Sequence, residues 1–259
     1  MSKVSCAPRE EPMRFQERAN VITELLQKQQ VVSAAELGEK LKVSLVTIRK
    51  DLQRLEDEGK LIRTFGGAAS CTVDYKEQQR LSAMQRIADC VMGDIEEGDC
   101  IIMNAGNTTL LSARNMLRLK QLKVITNSIS IARELSKKDG FQLILLGGEM
   151  SAGAVFTHGA EAIGQLEQYK ANKLIFSVSG ISYARGLTTR HMEGADLFRK
   201  MIARSKEVIV AVDDSKIGFE SFYYIDSLDV VSKIVTNASE GSEEELRQME
   251  RRGIQVCRC

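Results

Sequence analysis

The sequence predicts an α/β protein of two domains: a small helix-turn-helix module ending in a β-wing, then a larger domain around a largely parallel sheet. Three observations predict it. Residues 13–69 carry helical periodicity with paired cap signals. From residue 85 to 257, strand-sized apolar runs alternate with helical stretches. Residues 70–84 between them are polar, mixed in charge and without a clear period, and read as a linker.

A length of 259 residues suits two domains, and 43% hydrophobic with 27% charged residues excludes a disordered or collagen-like chain. No apolar run approaches the ~18 residues of a membrane span. The strongest, Leu143–Leu146 and Val208–Val212, are strand-sized. The opening MSKVSCAPREEP lacks the apolar core of a secretory signal, so a cytoplasmic protein with no membrane partner is expected. A net charge of +1 leaves no global field for polyanions, so any nucleic-acid contact must rest on a local face. Both prolines, Pro8 and Pro12, precede the periodic segments, which are therefore read without proline kinks.

In the first module, Phe15, Ala19, Ile22 and Leu26 form one face of an amphipathic helix. Ser33-Ala-Ala-Glu36 is a capping box that opens a short helix with Leu37 and Leu41 inward. A second start signal, Ser44, follows after about one turn. The helix behind it carries Leu45, Ile48, Leu52 and Leu55 inward and closes at Gly59. Two short helices joined this tightly make a helix-turn-helix. With the apolar stripe inward, Val46, Thr47, Lys50, Gln53 and Arg54 face outward and Arg49 lies on the flank. Over Lys42–Arg54, four basic residues (Lys42, Arg49, Lys50, Arg54) stand against one acid, Asp51. Such a face contacts phosphates while the first turns reach base edges; the plainer alternative is an ordinary solvated surface. Lys60–Gly67 reads as a strand ending in a flexible turn, a wing with Arg63 placed for a phosphate, or a plain packing hairpin.

Here a family resemblance becomes specific. Val31–Ala68 resembles the winged helix-turn-helix of the DeoR family of bacterial regulators of sugar metabolism. Val43, Ser44, Thr47, Ile48, Arg49, Lys50, Asp51 and Leu52 match the string V-S-x-x-T-I-R-[RK]-D-L. Leu55, Gly59, Leu61, Arg63, Gly66 and Gly67 continue it. The resemblance implies a transcriptional regulator, a repressor of a carbohydrate-utilisation operon, with double-stranded operator DNA as partner. Ser44, Val46, Thr47, Arg49, Lys50, Arg54 and Arg63 are then the expected DNA contacts. Because one such module reads a short half-site, a homo-oligomer, dimer or tetramer, is expected.

In the larger domain a helix is expected to begin near Gln85. Strands are expected at Cys100–Met103, Lys123–Thr126, Gln142–Leu146, Lys173–Val178, Glu207–Val212, Lys233–Val235 and Ile254–Cys257. Helices are expected at Thr109–Leu117, Ile129–Leu135, Ala195–Arg204 and Glu243–Glu250, the last capped by Ser242. Ligands of such sheets bind beyond the carboxyl ends of the strands. Asn104-Ala-Gly-Asn-Thr-Thr109 follows the first strand as a glycine-hydroxyl turn into a helix, where Gly106, Asn107, Thr108 and Thr109 receive a phosphate or merely cap. Thr126-Asn-Ser128, Gly147-Gly148, Ser179-Gly180 and Asp213-Asp-Ser-Lys216 end later strands.

These strings resemble the family's effector domain, which is similar in fold to ribose-5-phosphate isomerase. Asn104–Thr109 stands at its phosphate loop, D-x-G-T-T-T. Thr126-Asn127-Ser128 matches T-N-S, Leu146-Gly147-Gly148 matches L-G-G, Gly180-Ile181 with Gly186-Leu187-Thr188 matches G-I and G-L-T, and Asp213, Ser215 and Lys216 match D-x-S-K. The resemblance implies a small-molecule effector, a sugar phosphate, held by Asn104, Gly106, Asn107, Thr108, Thr109, Gly147, Gly148, Gly180, Asp213 and Lys216. There are departures: Asn104 and Asn107 replace an aspartate and a threonine, and Met84 and Phe198 stand where lysines are common. They imply an effector of lower negative charge or weaker binding. An isomerase would need a positioned carboxylate; Asp213 and Glu193 are candidates by type, yet the glycine-rich and R-E-K segments of such enzymes have no counterpart, so no catalysis is expected.

The six cysteines, Cys6, Cys71, Cys90, Cys100, Cys257 and Cys259, show no metal-ligand spacing beyond a lone C-x-C at Cys257 and Cys259. His158 and His191 stand far apart. Reduced, buried or idle thiols are expected, with no metal and no cofactor.

Overall fold

The structure, a computed structural model, describes residues 13–29, 31–64, 66–70, 75–150 and 155–259, with the backbone alone over 75–79. Pro8, Pro12, Cys6 and Cys71 therefore lie outside the described residues. The chain divides into two compact units between Gln79 and Arg80.

The first unit runs α1 (Phe15–Gln29), β1 (Val31–Ser33), α2 (Ala34–Leu41), α3 (Leu45–Asp57), β2 (Leu61–Thr64) and β3 (Gly67–Ser70). The strands form an antiparallel sheet in the order β1-β3-β2. Ala19, Ile22 and Leu26 of α1 meet Leu37 and Leu41 of α2 and Ile48, Leu52 and Leu55 of α3 in one apolar core. The capping box forms: Ser33 Oγ accepts from Glu36 N–H at 3.1 Å, and Glu36 Oε2 accepts from Ser33 N–H at 3.0 Å. Those bonds hold the Glu36 carboxyl below the usual carboxylate range. Lys42 turns left-handed (φ 53°) to end α2. Gly67 keeps β3 against β1, because a Cβ there would overlap the Val32 carbonyl oxygen.

Two expectations for α3 need correction. Leu45, read as inward, is 47% exposed. It is the first residue of the helix and rests at the rim beside Gly38, where the absence of a side chain leaves room. Asp51, read as the acid on the basic face, is buried. Arg18 Nε and Nη2 donate to its two carboxylate oxygens at 2.7 and 3.0 Å, a bidentate pair that ties α1 to α3.

The second unit contains α4 (Tyr75–Val91), β4 (Cys100–Met103), α5 (Asn107–Met116), β5 (Lys123–Thr126), α6 (Ile129–Leu135), β6 (Gln142–Leu145), α7 (Ala160–Leu166) and β7 (Ala171–Phe176). It continues through β8 (Gly180–Ser182), β9 (Gly186–Thr189), α8 (Ala195–Ala203), β10 (Ser205–Ala211), β11 (Tyr223–Asp226), β12 (Lys233–Thr236), α9 (Glu243–Arg251) and β13 (Gln255–Arg258). Seven strands form a sheet in the order β13-β12-β10-β7-β4-β5-β6, and every neighbouring pair is parallel. Alternate residues supply two cores. Ile102, Leu174, Phe176, Val208, Val210 and Ile234 face one side; Ile101, Met103, Ile175, Ile209, Ala211 and Val235 face the other. Burial on both faces explains the continuous apolar runs of the sequence.

Residues 75–84, expected within a linker, are helical. The stretch has no proline or glycine to stop a helix, and its buried Met84, Ile87, Ala88 and Val91 repeat at helical steps. α7 and the small antiparallel sheet β11-β9-β8 were not expected. β8 and β9 are three and four residues long, too short for a periodic signal. Ser242 does not cap α9 through its side chain; its Oγ closes the preceding turn with the Ser239 backbone. Cys90 and Cys259 are joined by a disulfide, which corrects the expectation of reduced, idle thiols. Among the described residues no helix is long and apolar enough to cross a membrane.

Removing one partner from a buried ion pair strands the other charge in the interior. Asp51→Ala is therefore expected to destabilise the first unit by about 3 kcal/mol, seen as an earlier first transition in urea unfolding, whereas an unchanged midpoint would contradict the pairing.

Candidate functional site

Two surfaces carry chemistry, one in each unit. In the first, Ser44 caps α3: its Oγ accepts from Thr47 N–H at 3.2 Å and shares a hydrogen bond with Thr47 Oγ1 at 2.9 Å. Val46 is 61% exposed beside them, and Arg49 and Lys50 are exposed one turn on. With Asp51 turned inward, the opening turns of α3 present cations and small polar groups with no acid among them. Arg54 and Arg63 are more restrained. Arg54 lies 4.1 Å over the Phe15 ring and pairs with Glu58 at 3.3 Å. Lys60 foremost, then Arg54, holds the Glu58 carboxyl below its ordinary range. The Arg63 guanidinium donates to Gln53 Oε1, and its backbone N–H to Glu56 Oε1 at 2.9 Å, docking the wing strand on the end of α3.

The second surface follows from strand order. β4 lies between β5 and β7, so the chain builds the sheet first to one side of β4 and then to the other. The loops leaving β4 and β7 must part there, which opens a crevice at their carboxyl ends. A cavity of about 220 Å³ occupies it. Asn104 to Thr108 line it from the β4 loop, Ser177 to Ser179 from the β7 loop, and Val212, Asp213 and Lys216 from beyond β10. Thr189, Arg190 and His191 close one wall, and Arg80 and Met84 of α4 complete it with Phe198 of α8. A second cavity of about 260 Å³ shares Gly106, Asn107, His191 and Phe198 and extends along Leu110, Val155 and Phe156.

The electrostatics of the first cavity favour an anion. α5 starts at its mouth, and Gly106 at the N-cap supplies no side chain to satisfy the first amides. Arg80, Arg190 and Lys216 add three cations to the wall. Neither Arg190 nor Lys216 is ion-paired among the described residues. Among the described residues the one carboxylate in the lining, Asp213, is buried: it accepts from Ser215 N–H at 3.1 Å and from Ser215 Oγ, and Arg80 Nε lies 3.7 Å away.

The structure brings Asn104, Gly106, Asn107, Thr108, Asp213 and Lys216 together in this lining and leaves Thr109, Gly147, Gly148 and Gly180 outside it. Asn104 joins the two loops, its Nδ2 donating to the Ser177 carbonyl at 2.8 Å and its Oδ1 accepting from Ser177 N–H at 2.9 Å. Thr109 Oγ1 donates to the Asn104 carbonyl at 2.8 Å. Gly147 N–H bonds Gln165 Oε1, and a Cβ on Gly148 or Gly180 would overlap the His158 or Phe219 carbonyl oxygen. Glu193 reaches His191 at 3.4 Å and is absent from the lining. Sequence reasoning missed Arg80, Ser177, Arg190 and His191. Arg190 and His191 follow the Gly186-Leu187-Thr188 string and could have been found by extending it. Met84 and Phe198, which stand where the resemblance implies lysines, are both in the wall.

Two family models match the chain. The profile of the DeoR-like helix-turn-helix domain matches residues 18–74, and that of the DeoR C terminal sensor domain matches residues 79–238. The chain is 33% identical over 232 residues to the HTH-type transcriptional repressor GlcR of Bacillus subtilis (strain 168), covering 87% of this chain and 89% of the relative. It is 30% identical over 232 residues to the glycerol-3-phosphate regulon repressor of Escherichia coli (strain K12), covering 87% and 92%. It is 32% identical over 238 residues to the lactose phosphotransferase system repressor of Streptococcus mutans serotype c, covering 88% and 94%. Among solved structures, ribose 5-phosphate isomerase from Plasmodium falciparum is similar at a TM-score of 0.39 and 17% identity, over 52% of each chain.

Asn104→Ala leaves a Ser177 donor and acceptor unpaired, and is expected to cost about 1–3 kcal/mol in the second unit. Chemical unfolding checks it; a variant as stable as the parent chain would contradict the bridging role.

Proposed function

The chain belongs to the DeoR family of transcriptional regulators, and we propose that it represses a carbohydrate-utilisation operon by binding operator DNA with α3 and releasing it on binding a phosphorylated sugar. Three of its relatives are named as repressors, two of them for glycerol 3-phosphate and lactose systems. The observation that carries the proposal is the pairing, in one chain, of an acid-free cationic turn at the start of α3 with a cation-lined cavity at the switch point of the sheet. Ser44, Val46, Thr47, Arg49 and Lys50 would enter the major groove, with Arg54 and Arg63 on the flanking phosphates. Operator half-sites would then be matched by a homo-oligomer.

In the cavity, the amides at the start of α5 with Lys216 and Arg190 would receive the phosphate. Asp213 and Arg80 would sit beside it, and the second cavity would take the rest of the ligand. Met84 and Phe198 favour a second reading, a ligand of lower charge, while three remaining cations favour the anion. An isomerase base is poorly supplied, because Asp213 is already bonded to Ser215 and flanked by Arg80. Release of DNA requires only that the ligand bind the DNA-incompetent arrangement more tightly.

Lys50→Ala is expected to weaken operator binding across sequences and lower the slope of affinity against salt by about one; an unchanged salt slope in fluorescence anisotropy would remove Lys50 from the interface. Lys216→Ala is expected to leave DNA affinity intact while raising the concentration of sugar phosphate needed for release. A normal release curve would refute the role of Lys216.

A further inference from the structure

Three cysteines from distant parts of the chain meet at the edge of the large sheet. Cys90 is on the last turn of α4, Cys257 is in β13, and Cys259 follows it. Their sulfurs all lie within 4.8 Å of one another. Strand geometry explains the pair: Cys257 is opposite Val235 of β12, Cys259 N–H donates to the Thr236 carbonyl at 2.9 Å, and alternate residues of a strand share a face. Arg258 between them bonds Glu243 and Glu250 of α9 instead. Both thiols thus meet Cys90 beside Ile87, Val91 and Val235. Among the described residues β13 pairs only with β12, and all three cysteines are half-buried, so the cluster is open to small solutes.

Cys90 and Cys259, with Cα atoms 6.4 Å apart, account for one disulfide. Nothing in that bond requires Cys257 to share the cluster. Sulfurs around one tetrahedral or trigonal metal stand about 4 Å apart, given metal–sulfur bonds of about 2.3 Å, so the bonded pair has only to part on reduction, with Cys257 already within 4.8 Å of both. An all-sulfur set selects zinc and softer cations over magnesium, calcium or manganese. Among the described residues no histidine or carboxylate joins the trio, so a fourth position is left for solvent or an added thiol. We propose that, with the Cys90–Cys259 bond reduced, Cys90, Cys257 and Cys259 form a three-thiolate site for a thiophilic metal cation. The two states exclude each other, because the disulfide removes two of the three ligands. Reduction adds two electrons and two protons, and metal binding releases the thiol protons to solvent. The bound cation pins α4 to β13.

The test uses the full chain, reduced with a phosphine (which becomes the phosphine oxide), freed of reductant without air and titrated with Cd(II). The expected result is sulfur-to-cadmium charge-transfer absorption that saturates at one cadmium per chain, with Cys90, Cys257 and Cys259 protected from alkylation by mass-spectrometric mapping. Cys257→Ser leaves the disulfide pair intact and is expected to weaken Cd(II) binding by about tenfold or more, through loss of one metal–sulfur bond. Cys100→Ser is expected to bind as the parent does. Cadmium binding undiminished in Cys257→Ser, no charge-transfer band in the reduced chain, or protection mapping to other cysteines would each overturn the proposal. The mapping on the unsubstituted chain decides even if a variant misfolds.

Discussion

Two hydrogen bonds of one buried amide, Asn104 Nδ2 to the Ser177 carbonyl and Ser177 N–H back to Asn104 Oδ1, join the loops that leave β4 and β7. Strand order forces those loops apart, and without a bridge the crevice would have no fixed width. The remaining cavity wall is set from there. Thr109 holds the Asn104 carbonyl, and Asn127 Oδ1 accepts from Ala105 N–H at 3.3 Å. Gly106 fits because a Cβ would stand 2.7 Å from the Ser177 Cβ. α5 therefore starts at one defined place, and Gly106, Asn107 and Thr108 at its start line the cavity.

A buried polar interaction plays the matching part in the first unit. Arg18 neutralises Asp51 inside the core, so the acid of the sequence string does not oppose phosphate on the face of α3. The connection between the units runs through α4, which begins at Tyr75 and places Arg80 and Met84 in the cavity wall. On the proposed reading, a ligand touches the very helix that leads back along the chain to the wing. Population shift then needs only a difference in ligand affinity between two arrangements.

Most of the fold was legible because both faces of the sheet are buried. Val208–Val212 and Cys100–Met103 read as strands from apolar content alone, and Ser33 and Ser44 announce helix starts through local bonds that a sequence can show. What escaped depended on distant partners. Asp51 reads as a surface charge until Arg18, 33 residues earlier, is placed against it. The bridging role of Asn104, which lines the cavity, is hidden until Ser177, 73 residues later, is placed against its amide. Gly147 and Gly148 read as a ligand loop, but they serve close packing against Gln165 and His158. Cys90 and Cys259, 169 residues apart, carry no spacing signal at all. The expected linker hides the first half of α4, because its polar residues show no period before the apolar steps of Met84, Ile87 and Val91 begin.

The most direct measurement of the central claim is selection of duplexes from a random pool by the purified chain, repeated with sugar phosphates and with the free sugars. A repeated motif is expected to be enriched, and one phosphorylated sugar to release it at concentrations where its free counterpart does not. A pool that stays random, or an enriched motif that no phosphorylated sugar releases, would contradict it.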